Sequence, residues 1–193
     1  MPDRLHSQLQ FLFEIDKIKN IARKTRNFSN DRFENDAEHS WHVAIMASIL
    51  AEYANDTVDI SRVVKMVLVH DVAEIDHGDV IVYRRTDEDS ERERRAARRI
   101  FGMLPDDQRD EYFALWEEFE ARETTDARFA AAIDRLEPVL QNILRNGESW
   151  NTHGIASERV FEINARIADG SAGLWSHVKN ELQRLKDSGY LNR

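Results

Sequence analysis

The stretch Val67-Leu68-Val69-His70-Asp71-Val72-Ala73-Glu74-Ile75-Asp76-His77-Gly78-Asp79 sets an imidazole beside a carboxylate behind an apolar run. Further acids follow at Glu74, Asp76 and Asp79. Imidazole and carboxylate together form a mixed N/O ligand set, suited to a divalent ion that keeps open positions for water or substrate. The same dipeptide also suits a helix end in which His70 and Asp71 are merely hydrogen-bonded. Ligands elsewhere in the chain decide between the two.

The rest of the composition narrows the class. A chain of 193 residues is most simply one domain, long enough to bury a sizeable core. Its net charge, 27 − 36 = −9, argues against a nucleic-acid partner. With no cysteine there are no disulfides, thiolate zinc sites or thiol nucleophiles. No apolar run approaches the roughly 18 residues of a membrane span. The N-terminal stretch is charged throughout, without a signal-peptide core. A cytoplasmic protein with no membrane partner is expected. Three prolines, seven glycines and no hairpin dipeptide between alternating strands point to an all-α fold.

Outward from the opening stretch, Asp59 is expected to cap the helix that leads into it, with Ile60, Val63, Val64, Val67 and Leu68 facing the core. Upstream, Asn35 with Glu38 forms an Asn-led capping box. His39 and His42 follow on one side of that helix, and either can supply a ligand. A first helix, about Arg4 to Lys24, ends in Lys17, Lys19, Arg23, Lys24 and Arg26. Those cations either complement the helix dipole or hold an anion in a pocket. Arg26 to Phe33 is expected to be irregular.

Downstream, Gly78 breaks the helical pattern and leaves Asp79 in a loop. Thr86 or Asp87 caps a charged helix to about Met103, whose arginines and glutamates suit a solvated face. Pro105 opens a helix with an apolar stripe of Tyr112, Leu115, Trp116 and Phe119, a core or a dimer seam. Thr124 or Thr125 starts another, in which Asp134 stands within an apolar run, one turn before Glu137 and Pro138. A buried acid without a partner there costs several kcal/mol. Asp134 is therefore either at a solvent edge or a ligand, and Pro138 is expected to kink the helix. Two more helices between about Ser157 and Asp187 are expected, capped by Ser157 and Ser171. Trp150, His153 and Trp175 in this region are expected to pack.

His39, then His70-Asp71 after 70 − 39 = 31 positions, then Asp134 after 134 − 71 = 63 more, gives the order H…HD…D. This resembles the HD-domain superfamily of metal-dependent phosphohydrolases. Ala37-Glu38-His39-Ser40, Leu68 to Glu74, Gly78-Asp79, Leu104-Pro105, Leu115 to Glu118 and Ala131 to Leu136 stand in the order seen in the bacterial 5′-deoxynucleotidases and related small HD-domain proteins. The likeness covers about Leu12 to Gln141.

The resemblance implies a helical bundle with His39, His70, Asp71 and Asp134 holding one divalent ion in its core. That ion is manganese or cobalt in much of the family, with magnesium, nickel, zinc or iron also accepted. It implies that Glu74 orients or deprotonates the attacking water, that Asp79 contacts water or the sugar hydroxyl, and that Arg23 holds the substrate phosphate. Where the deoxynucleotidases carry a tryptophan after that arginine, this chain has Lys24, which adds a second cation. His77 is the only histidine between Asp71 and Asp134, so a single-metal site is expected. The expectation is one HD domain over 1–193, with its core at about 12–141 and C-terminal helices packed on it. It acts, as a homodimer, on a small phosphate ester, foremost a nucleoside 5′-monophosphate. The alternatives are another nucleotide, such as a triphosphate or alarmone, and a regulatory protein that binds metal or nucleotide without turnover.

Overall fold

The computed structural model describes residues 3–84 and 86–191. It is an all-α bundle with one small hairpin. The helices are α1 (Arg4–Ile15), α2 (Asp36–Leu50), α3 (Ile60–Val69), α4 (Asp87–Phe101), α5 (Asp106–Ala121) and α6 (Thr125–Leu144). They are followed by α7 (Glu148–Thr152), α8 (Ser157–Asn164), α9 (Ile167–Gly170) and α10 (Ala172–Asp187). Strands β1 (Ala22–Arg26) and β2 (Phe33–Asn35) pair antiparallel between α1 and α2.

The helix starts follow local chemistry. The Asn35 side chain accepts from the Glu38 amide while Glu38 reaches back to the Asn35 amide, a reciprocal cap. Asp59 accepts from Ser61 and Arg62 at the start of α3, Thr86 from Asp89 at α4, Thr124 from Ala127 at α6, and Ser171 from Leu174 at α10. Ser157 is not a cap. Ala156 holds that position, and the Ser157 hydroxyl donates to Glu158.

The first helix is shorter than its apolar spacing predicts. It ends at Ile15, a 3₁₀ turn covers Asp16–Asn20, and the chain then extends into β1. The backbone of this stretch is claimed by β2, with Ala22 opposite Asn35 and Arg26 opposite Phe33. Arg23 and Lys24 therefore lie on a strand and complement no helix dipole. Leu9, Leu12 and Phe13 are exposed, and Phe11 is the residue of α1 that reaches the core.

Two apolar clusters make the core. The larger gathers α2, α3, α5, α6 and the C-terminal helices around Val43, Val67, Phe129 and Ile133. The smaller joins Phe11 to Val72, Ala73, Ile100, Phe101 and Trp116. Val69 packs against both. His70 and Asp71 thus occupy the seam between the clusters, where a backbone turn is fixed from both sides.

That turn is not a continuation of α3. From His70 to Asp76 the chain is a 3₁₀ helix, with about three residues per turn. Trp116 donates from Nε1 to the His70 carbonyl at 3.1 Å, tying the turn to α5. The α5 stripe is consumed in this way: Leu115, Trp116 and Phe119 are all core, so the stripe is no dimer seam. Leu68, expected inside, is 47 % exposed. Pro138 sits within α6 without ending it, and its missing amide leaves the Asp134 carbonyl without its usual i+4 donor.

Candidate active site

The Asn35 cap fixes the first turn of α2 so that Asp36 and His39, three apart, both point inward and are fully buried. His39 meets α6, where its Nε2 lies 3.0 Å from Asp134 Oδ1, and it lies 3.8 Å from Asp71 Oδ2. His70 Nε2 is 3.1 Å from that same Asp71 oxygen and 3.2 Å from Asp134 Oδ1. Four donor atoms from α2, the 3₁₀ turn and α6 therefore face one point.

The other ring nitrogens have partners of their own. His70 Nδ1 donates to the Val67 carbonyl at 2.8 Å, and His39 Nδ1 to Glu137 Oε2 at 3.3 Å. With Nδ1 so engaged, each Nε2 is turned towards the carboxylates, as an N–H donor while the ring is protonated and as a lone pair for a cation once it is not. Carboxylate and carbonyl acceptors behind ligating imidazoles are the usual support of a metal site. His42 is not aimed at the cage; its Nδ1 faces Glu137 Oε1 at 3.3 Å.

The charge balance points the same way. Glu34, Asp36, Glu74, Asp79 and Glu137 surround the two ligand carboxylates, and the fixed cation among them is Arg23. Arg23 Nη1 lies 3.0 Å from Asp71 and 3.2 Å from Asp36, and its Nε is 3.7 Å from Glu34. Buried oxygens of Glu34, Asp36 and Glu74 accept no hydrogen bond among the described residues. This donor set, two imidazole nitrogens and two carboxylate oxygens in an acidic pocket, fits a divalent ion.

Titration without an ion reflects this excess of acid. Burial disfavours the charged form of His70, but Asp71 and Asp134 outweigh it and raise it to about 10. Burial would raise Asp71, yet His70, Arg23 and His39 hold it down to about 2. Glu137 is likewise held to about 2 by His39 and His42 against burial. Glu74 goes the other way: burial, then Asp71, Asp36 and Asp79, push it up to about 12. Asp36 rises to about 6 from burial and Asp71, with Glu74 and Arg23 opposing. Glu74 and Asp36 thus lie close together, and their contact raises the one and lowers the other. Asp79 is raised by burial, with Arg23 acting against it.

The cage opens into one cleft, in which Arg23, Lys24, Glu74 and Asp79 meet Tyr83, Trp150, His153 and Asn164. All eight residues expected at the site therefore line the cage or its cleft. Trp150 and His153, expected only to pack, also help to wall it. Three residues were not legible beforehand: Glu34, Asp36 and Glu137. Weak signals existed, since Asp36 is three before His39 and Glu137 three after Asp134. Spacing alone cannot say which acids on a helix turn inward.

Comparison with known proteins follows this geometry. Residues 15–175 match the protein family described as the HD domain. A crystal structure of a predicted metal-dependent phosphohydrolase from Magnetospirillum magnetotacticum is 49% identical, with a TM-score of 0.92, covering 98% of this chain and 99% of that one. The human 5′-deoxynucleotidase HDDC2 is 33% identical over 138 residues, which span 70% of this chain and 66% of the human protein. The HD phosphohydrolase DatZ of cyanophage S-2L, in a structure bound to dA and one catalytic Zn²⁺ ion, is 20% identical with a TM-score of 0.54. It covers 92% of this chain and 95% of that chain, a likeness of fold.

Proposed function

The chain belongs to the HD-domain family of metal-dependent phosphohydrolases, and from that premise we propose that it hydrolyses nucleoside 5′-monophosphates to nucleoside and phosphate. The observation that carries the reading is the convergence of His39, His70, Asp71 and Asp134 with Arg23 beside Asp71. These four residues would hold one divalent ion, which supplies Lewis acidity to the water and the phosphoryl oxygen it engages. We favour manganese or cobalt; the zinc in the DatZ structure makes zinc a specific competitor.

The protein's own groups do the rest. Arg23 lines the cleft and its Nη2 makes no hydrogen bond among the described residues, which leaves that nitrogen to take a phosphoryl oxygen while Nη1 stays on Asp71. Lys24 adds a second cation on the same strand. Glu74 is the proton acceptor for the attacking water, its carboxylate poised against Asp71 and Asp36. With a dication held by His39, His70, Asp71 and Asp134, the pKa of both acids would fall, and Glu74 would serve as a base near neutrality. Asp79, raised by burial against the pull of Arg23, is placed to contact that water or a sugar hydroxyl.

We extend the reading to the whole chain, 1–193, as one HD domain that works as a cytoplasmic homodimer. No helix among the described residues is long and apolar enough to cross a membrane. The stripe Trp41, Ile45 and Ile49 on α2 is 43–67 % exposed and supports self-association in place of the buried α5 stripe. A screen of nucleoside mono-, di- and triphosphates with manganese, cobalt, magnesium, nickel, zinc and iron tests the activity. Phosphate release from monophosphates is expected, whereas release of pyrophosphate or tripolyphosphate from a triphosphate as the preferred reaction overturns it. Metal analysis of Asp71→Ala and His39→Ala proteins tests the cage, and wild-type metal content in both refutes it.

A further inference from the structure

Beyond the cleft lies a second hollow of about 200 Å³, lined by Arg122, Arg128, Ala131, Arg135, Arg166 and Asp169. Four fixed cations against one carboxylate is a reversal of sign in a chain whose net charge is −9. Arg128, Ala131 and Arg135 share one face of α6, three and four residues apart, and the short Ala131 side chain leaves space between the two guanidinium stems. Arg122 ends α5 with a left-handed backbone, φ 55°, and Arg166 stands at the start of α9.

Most described arginines outside the hollow have a carboxylate partner. Arg4, Arg62, Arg92, Arg94, Arg99 and Arg109 are each ion-paired to a carboxylate. Among the described residues no carboxylate lies within ion-pair distance of Arg122, Arg128, Arg135 or Arg166. Arg128 spends its donors on the carbonyls of Arg122 and Glu123, and the buried Arg122 Nε has no partner. Clustered guanidinium groups without counter-ions are destabilising unless an anion compensates them, and the planar fork of arginine matches phosphate oxygens. Arg122 and Arg135 also line the catalytic cleft, so the two cavities share a wall.

We propose that the arginine hollow is a second phosphate-binding subsite, separate from the metal cage and reached from the same cleft. Its ligand is a phosphate-type anion, either a second phosphate borne by the nucleotide in the cleft or a free polyphosphate. The identity of the cleft's occupant rests on the function proposed above; binding of phosphate to the arginines does not.

The test is calorimetric titration of inorganic pyrophosphate into metal-free protein at low salt, compared with Arg166→Gln and Arg128→Gln. The Arg166 side chain is exposed and makes no hydrogen bond among the described residues, so its variant is expected to fold even if loss of the Arg128 contacts weakens α5. Saturable binding that weakens at least ten-fold in Arg166→Gln and falls with added salt is expected. A nucleoside 3′,5′-bisphosphate that outbinds its 5′-monophosphate, with the gain lost in Arg166→Gln, identifies a substrate-borne phosphate. Pyrophosphate that binds undiminished in the presence of saturating monophosphate identifies a free one. No saturable binding to the wild type, or equal affinity in the wild type and both variants, overturns the proposal. The readout is binding, so a chain that failed the hydrolysis screen would still give a decisive answer here.

Discussion

Glu137→Gln probes the support of the cage without touching a ligand. Glu137 is fully buried, with Oε2 3.3 Å from His39 Nδ1 and Oε1 3.3 Å from His42 Nδ1. Burial works against its charge, but the two histidines hold its pKa to about 2, so it is ionised at every working pH. Glutamine keeps the shape and offers one carbonyl oxygen where two imidazoles now each have an acceptor. Gln141, which donates to Glu137, has its own Oε1 without a partner. A flip of that amide receives the new donor, and the fold survives. What disappears is the negative charge that orients His39 and raises the basicity of its Nε2. Loss of such a partner costs about 10–100-fold in metal affinity, or about 1.4–2.7 kcal/mol. Competition with a chromophoric chelator measures it, alongside a thermal melt. Affinity within about two-fold of wild type in a protein that melts normally would refute the support role. The sign with pH is also fixed. A depressed carboxyl contributes its full stability above the ordinary value, roughly 4.3, and loses it as pH falls towards 2. Between pH 5 and 8 the difference between wild type and variant should narrow as pH rises, because Glu137 raises His42 and that hold is lost as the imidazole deprotonates.

Glu74→Gln should lower turnover about 10²–10⁴-fold with metal still bound, as expected of a lost base. Because Glu74 is raised to about 12, its neutral form is the one folding favours above pH of about 4.3, and the metal-free variant should melt no lower than wild type at pH 7. A clear fall in melting temperature, or unchanged turnover, contradicts this account. Metal binding should release protons, since His70 is raised to about 10 and must lose its proton for Nε2 to coordinate. Calorimetry in buffers of different ionisation enthalpy checks it, with affinity climbing as pH rises; heats independent of the buffer would exclude it. Trp116→Phe removes the side-chain donor to the His70 carbonyl, a loss of about 0.5–1.5 kcal/mol for one hydrogen bond. A melt lowered by several degrees, with cage affinity reduced as the turn loosens, is expected. A melting temperature unchanged to within a degree removes Trp116 from its positioning role.

The sequence and the structure agree where the physics is local. Asn35, Asp59, Thr86, Thr124 and Ser171 each bond to an amide within three residues, so a cap can be read from neighbours alone. Ser157 misled because a serine one position inside the helix looks the same in sequence as one at the cap. The extent of α1 misled for another reason: the apolar spacing continues past Ile15, but β2 claims the backbone of Ala22–Arg26. That claim comes from a strand lying after the intervening turn. Only with the hairpin formed does Arg23 turn from a helix-end cation into a neighbour of Asp71.

By itself, the sequence determined the chemistry on offer: two histidines and two aspartates in the order H…HD…D, an acid at Glu74, and no thiol to compete for the ion. Tertiary structure decided which of the many acids join them. His39 reaches Asp134 across 95 positions and Glu137 across 98, and His70 reaches Asp134 across 64. The clustering of Arg122, Arg128, Arg135 and Arg166 is settled in the same way, by α5, α6 and α9 meeting at one hollow. Side-chain type and cap preference act over one helical turn and are written in the local sequence. Which faces converge depends on how two apolar clusters pack around the turn at His70, and that is a property of the whole folded chain.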